Sequence, residues 1–222
     1  RSVCRTTSPD FTGWTEPVPL RPNFPGEHLY TTLTQPYFRA PHIYLATPTR
    51  FHPSRGESTD ILFMTARGDG PYDRTFREAF IRPGLDPRNW HERAIEVGPG
   101  LVPTGSGEMS LYYMEHYRTD AVQIRRGVLR IDGLVSVQAG AGGGEFVTRV
   151  LTFAGNRLAI NFSTSAAGSV RVELQAADGT PLEGFALADC PEIYGDAIER
   201  VVADEGLRAR LSRAAAASSA VK

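Results

Sequence analysis

Hydrophobic residues in this chain fall in short runs that alternate with polar residues more often than they follow a helical period. Residues 43–47, 60–66, 109–114, 128–139, 145–153, 157–163 and 169–175 are apolar or alternating, and each is bounded by Gly, Pro, Asn or Asp. Val170, Val172 and Leu174 alternate with Arg171 and Glu173, the pattern of a strand with one buried face. Asp178-Gly179 follows, and these residues accept a positive φ in a tight turn. Helical period is scarce before residue 196. After Val202 comes an Ala- and Arg-rich tail, residues 204–222, whose composition favours helix. The expected fold class is all-β.

Two stretches carry the same local signature. Asp10-Phe11-Thr12-Gly13-Trp14 and Asp86-Pro87-Arg88-Asn89-Trp90 both read Asp-x-x-x-Trp. The physical reading is a turn whose backbone Asp organises while Trp covers the outer strands of a hairpin. Repeated hairpins of this kind point to a β-propeller, because one small sheet cannot bury both of its faces alone; the alternative is two unrelated turns. Near residue 128 the texture shifts from segments rich in Pro, His, Tyr and Trp to short Val, Leu and Phe strands with small residues in the turns. The expected organisation is one domain over 1–127 and a second over 128–203.

Composition narrows the function classes. The chain has 222 residues and a formal net charge of −1, so bulk electrostatics give no reason to expect a nucleic-acid partner or an anionic membrane surface. No stretch is apolar enough to span a bilayer as a helix. Lys222 is the only lysine, so nearly all positive charge is Arg, whose planar fork suits carboxylates and polyols. Cys4 and Cys190 are far apart in sequence and lack metal-ligand spacing. Beginning at Arg1, the chain reads as a fragment or a processed form. Its localisation and oligomeric state are not legible.

The chemistry concentrates between residues 27 and 45, where Glu27, His28, Tyr30, Gln35, Tyr37, Arg39, His42 and Tyr44 crowd together. Such a mixture suits a polar concave surface better than a plain core, because every buried ionic group needs a partner. The alternative is a buried polar network that holds sheets together.

Several segments together resemble a known family. They are Thr7-Ser8-Pro9-Asp10-Phe11 with Trp14, the stretch from Glu27 to Leu45, Asp73 to Gly84, Gly107-Glu108-Met109-Ser110-Leu111-Tyr112, and Ser163 to Glu173. They are similar to glycoside-hydrolase-like proteins of planctomycete-type bacteria, related to the invertase and arabinanase superfamily. The resemblance covers residues 1 to about 203. It implies part of a five-bladed β-propeller, entered midway round, followed by an incomplete β-sandwich. It also implies a carbohydrate substrate hydrolysed by paired carboxylates, with no cofactor.

Glycoside hydrolysis needs one protonated and one ionised carboxyl group, about 5 Å apart in retaining enzymes and about 6.5–9.5 Å apart in inverting ones. In a propeller the two come from different blades, so no local motif displays the pair. Glu27 is the first catalytic candidate, with a salt bridge to Arg39 as its structural alternative. Glu78 is second, because it sits among Phe76, Ala79 and Phe80, where an unpaired charge is costly; a pairing with Arg74 or Arg82 is the favoured reading. Tyr30, Arg39, His42, Arg74 and Glu108 are the substrate-binding candidates. Asp60 reads as a strand-edge turn residue, and Gly140 to Gly144 as a hairpin loop. The five histidines do not specify a metal site, and Ser163-Thr164-Ser165 lacks the nucleophile-elbow pattern. The alternative function is a non-catalytic carbohydrate-binding module, or an inactive piece of such an enzyme.

Overall fold

The computed structural model describes residues 1–152 and 157–203, and the expected helical tail lies outside them. The protein is all-β, built from small antiparallel sheets, none of which closes into a barrel among the described residues. The chain divides into two compact units, Arg1–Leu129 and a second beginning at Arg130.

The first unit opens with a hairpin, β1 (Cys4–Arg5) against β2 (Val18–Pro19), with the Asp10 turn between them. A meander follows: β3 (His28–Leu29), β4 (Gln35–Tyr37), β5 (Ala40–Ala46), β6 (Thr49–His52), β7 (Ser58–Ile61) and β8 (Met64–Arg67). Its register is simpler than six short strands suggest. β5 pairs with β8 from Ile43↔Arg67 to Ala46↔Met64, and β6 pairs with β7 from Thr49↔Ile61 to His52↔Ser58. These are one continuous register, a single long hairpin interrupted in the middle. Pro48 sits at the interruption. It accepts from the Leu62 N–H at 2.9 Å but has no N–H to return. That is why the apolar run 60–66 is not one strand. Ile61, Leu62, Phe63 and Met64 are all buried, so the alternation of a half-exposed strand is lost there.

β3 and β4 flank one side of this hairpin, and on the other side Ile81 bridges Ile61 and Asp73 bridges Thr65. The whole of 28–81 is therefore a four-stranded antiparallel meander whose last strand is reduced to two isolated bridges. Leu29, Ala46, Leu62 and Met64 pack with Val3 into one apolar cluster, and Leu20 and Tyr72 lie against it. A second meander follows a 3-10 turn at Pro87–Asn89. β9 (Glu96–Val97) and β10 (Val102–Pro103) both pair with β11 (Glu108–Glu115), and β12 (Gln123–Arg130) takes the other edge of β11. The expected strand 128–139 thus starts five residues early. It stops at Arg130 because Asp132 (φ 58°) and Gly133 turn the chain, with Gly133 N–H donating to Arg130 O.

In the second unit, β13 (Leu158–Ser163) pairs with β14 (Asp196–Ala203). Residues 169–175 form isolated bridges at Val170 and Gln175 in place of a continuous strand. The turn at Asp178-Gly179 forms as its residues require. Gly179 has φ 86°, and the Asp178 carboxylate accepts from Thr180 N–H. No strand forms over 145–152, where Phe146, Val147, Val150 and Leu151 are exposed. The alternating pattern is present there, but a strand exists only with a neighbour to pair with.

Candidate functional site

Of the polar stretch, Glu27 joins an ionic network of the first unit whose other members come from outside it. Arg50 on β6 and Asp60 on β7 are cross-strand partners, joined by Nε to Oδ1 at 2.9 Å and Nη2 to Oδ2 at 2.7 Å. His52 Nε2 lies 3.4 Å from the same Oδ2. Arg50 Nη1 also reaches Glu27 Oε1 at 3.8 Å. The main grip on Glu27 comes from Arg74, whose Nη1 and Nη2 donate to its two oxygens at 2.9 and 3.0 Å. Both side chains are deeply buried, with 9% of Glu27 and 8% of Arg74 exposed. Phe24 N–H donates to Glu27, and the Phe24 ring carries the guanidinium groups of Arg74 and Arg77 at 4.8 and 4.3 Å. Arg74 Nη1 also donates to Pro22 O, while its buried Nε has no hydrogen-bond partner.

The electrostatics follow from these contacts. Burial pushes the Glu27 carboxyl up. Hydrogen bonds from Arg74 and Phe24 N–H, with the charges of Arg74 and Arg50, outweigh that and hold it below its ordinary value. Arg50 is raised, chiefly by its hydrogen bonds to Asp60. The network therefore holds Glu27 ionised, the form that accepts a proton. A second carboxyl behaves oppositely. Glu96 on β9 is pushed up by burial, against a hydrogen bond from Thr49 Oγ1 at 2.9 Å and the charge of Arg93. Thr49 and Arg50 are successive on β6 and project to opposite faces, so Glu96 does not share the Arg50–Asp60 face.

The candidates named from sequence are dispersed. Glu27 and Arg74 meet, but the guanidinium that grips Glu27 is not the expected Arg39, which sits exposed in the β4–β5 turn. Glu78 is not on an apolar strand. It lies in an irregular segment, 87% exposed, paired with Arg82 at 3.2 Å, so the pairing reading holds for Arg82 rather than Arg74. Tyr30 is partly exposed with the Arg1 guanidinium 4.4 Å above its ring. His42 is exposed on β5. Glu108 begins β11 and accepts from Thr104 Oγ1 and Arg126. Sequence reading missed Arg50, Glu96 and the role of Asp60. Only the register, which sets Arg50 opposite Asp60, could have revealed that pair.

The two Asp-x-x-x-Trp stretches form the expected Asp-anchored turns. Asp10 Oδ1 accepts from Gly13 and Thr12 N–H, which hold its carboxyl far below the carboxylate range. Asp86 Oδ1 caps the 3-10 turn by accepting from Arg88 N–H at 3.0 Å. Each turn leaves its indole about half open, 52% for Trp14 and 51% for Trp90, instead of covering strands fully. Trp90 is tethered at its edge, Nε1 donating to Gly84 O at 2.9 Å, and Trp14 meets Phe11 edge to face at 5.5 Å. Among the described residues no group of three His, Cys, Asp or Glu side chains is arranged to hold a metal ion. No protein-family model, curated protein or solved structure matches the chain.

Proposed function

We propose that this protein recognises carbohydrate, with its exposed indoles as stacking platforms on a propeller-type scaffold. The observation that carries the reading is the pair of Asp-anchored turns. Each holds a Trp ring with half its surface open and polar turn groups beside it, the pairing of a flat apolar face with fixed polar groups that sugar rings need. The scaffold reading is supported by the four-stranded meander over 28–81 and the meander over 94–130, each the size of one blade. The antiparallel β13–β14 pair is compatible with a sandwich module in the second unit.

Binding ranks ahead of hydrolysis because Glu27 is held ionised by its arginines and Glu78 is an exposed surface pair, so neither is a poised acid. Hydrolysis remains as a second reading on one observation. Glu27 and Asp60 both contact the Arg50 guanidinium, and the small size of that group keeps their oxygens within roughly 9 Å, a bound that admits a retaining or an inverting pair.

Affinity electrophoresis through gels containing soluble polysaccharides tests the first reading. Retardation by at least one glycan, lost in Trp14→Ala or Trp90→Ala, supports it. Equal mobility of wild type and both variants on every glycan would sink it. Release of reducing sugar by wild type, abolished in Asp60→Asn, would promote hydrolysis instead.

A further inference from the structure

The second unit holds strand-like sequence without a partner and a strand edge without a neighbour. A turn at 140–143, closed by the Gly140↔Gly143 bridge with Gly143 at φ 76°, separates residues 134–139 from residues 144–152. Val135 and Val137 before the turn are exposed, and so are Phe146, Val147, Val150 and Leu151 after it. In the same unit β13 and β14 form a sheet of only two strands, so no strand lies along the outer edge of β14 among the described residues. Such an edge offers a row of N–H and C=O groups to one more strand, and a two-stranded sheet alone is marginal in water.

Charge indicates which strand fits that edge. Glu145 and Arg149 are four positions apart, and Asp196 and Arg200 on β14 have the same spacing and the same order of sign. Two segments with the same order complement each other only when they run antiparallel. Glu145 then stands opposite Arg200, Arg149 opposite Asp196, and Val147 opposite Ile198 between them, all on one face. A shift of one or two residues either way loses both ion pairs. The four charged residues are exposed. Glu145, Arg149 and Arg200 have no ionic partner among the described residues, whereas Asp196 also pairs with Arg130 through Oδ1.

We propose that the second unit joins two copies of this chain by reciprocal strand addition, residues 145–149 of each copy lying antiparallel along the outer edge of β14 in the other. The arm of the same copy cannot fill that place. Because β13 is antiparallel to β14, an arm antiparallel to β14 runs parallel to β13. Parallel strands of one sheet need a crossover of about a dozen residues or more, and only residues 150–157 separate Arg149 from Leu158. Each copy has one free arm and one free edge, so a single two-fold axis satisfies both and the contact closes as a dimer.

Sedimentation equilibrium of the 222-residue chain tests the exchange through two charge reversals, Glu145→Arg and Arg200→Glu. Wild type should dimerise in the micromolar range. Each single variant sets like charges opposite each other at both contacts and should weaken the dimer at least about tenfold. Mixing the two variants should restore it, because every contact of the mixed dimer again joins unlike charges. The double variant should dimerise as wild type does, which separates lost pairing from lost folding. A wild type that stays monomeric throughout the micromolar range, a dimer that neither reversal weakens, or single variants that stay monomeric when mixed would overturn the exchange.

Discussion

Arg50 and Asp60 face each other across β6 and β7, and their two parallel hydrogen bonds, at 2.9 and 2.7 Å, make the best-formed ion pair of the polar network. Each side chain is mostly out of water, so removing one partner strands the other. Arg50→Met and Asp60→Asn should each cost about 1–3 kcal/mol, and the double variant clearly less than their sum. A double-mutant cycle by urea denaturation measures this. Additive losses would mean that the pair contributes geometry without coupling.

Glu27 gives a pH signature of known sign. Its carboxyl is held below the ordinary value in the folded protein by Arg74, Phe24 N–H and Arg50 acting against burial. A depressed carboxyl contributes stability that is present above its unfolded value and is lost as pH falls through the folded one. Wild type should therefore lose urea resistance between neutral pH and about pH 3 more steeply than Glu27→Gln. At pH 7 the variant should already be weaker by about 3 kcal/mol, because Arg74 keeps its charge in a buried place. Parallel pH profiles for the two proteins would contradict the assignment.

The all-β class, the Asp-anchored turns and the tight turn at Asp178-Gly179 were legible because each follows from local pattern and turn chemistry. The interruption at Pro48 was not. A run such as Ile61 to Met64 looks like one strand whether its ladder is continuous or broken, and only the partner's proline decides. The site was legible to the same degree. Residue types marked Glu27 as a group in need of a partner, yet the partner came from Arg74, 47 positions away. Arg39, much nearer in sequence, went to a turn. Glu96 carried no signal, because its burial depends on how β9 packs near Thr49.

Glu96 should respond to pH in the opposite direction to Glu27. Burial raises its carboxyl, so the folded state binds a proton more readily than the unfolded chain. Its contribution is complete at acidic pH and declines as pH rises from about 4.5 through the folded value. Glu96→Gln keeps an oxygen for Thr49 Oγ1 and removes the charge. The variant should be more urea-resistant than wild type at pH 7 and equal to it near pH 4. A loss of resistance at pH 7 would show that the ionised carboxylate is needed there.

Gly56 sits where the β6–β7 loop meets the Trp90 segment. Its carbonyl accepts from Glu92 N–H at 2.9 Å, and a Cβ added to it would stand 2.9 Å from the backbone oxygen of Trp90. Its φ is 64°, so alanine there carries both the left-handed penalty and a clash with backbone that cannot move aside. Gly26 supplies the control, with φ 76° and open space where its Cβ would go. Gly26→Ala should cost about 1 kcal/mol, the conformational part alone. Gly56→Ala should cost at least about 2 kcal/mol and shift Trp90 emission, because relieving the contact displaces the loop that carries the ring. Equal losses in the two variants would show that the loops are not in contact at Gly56.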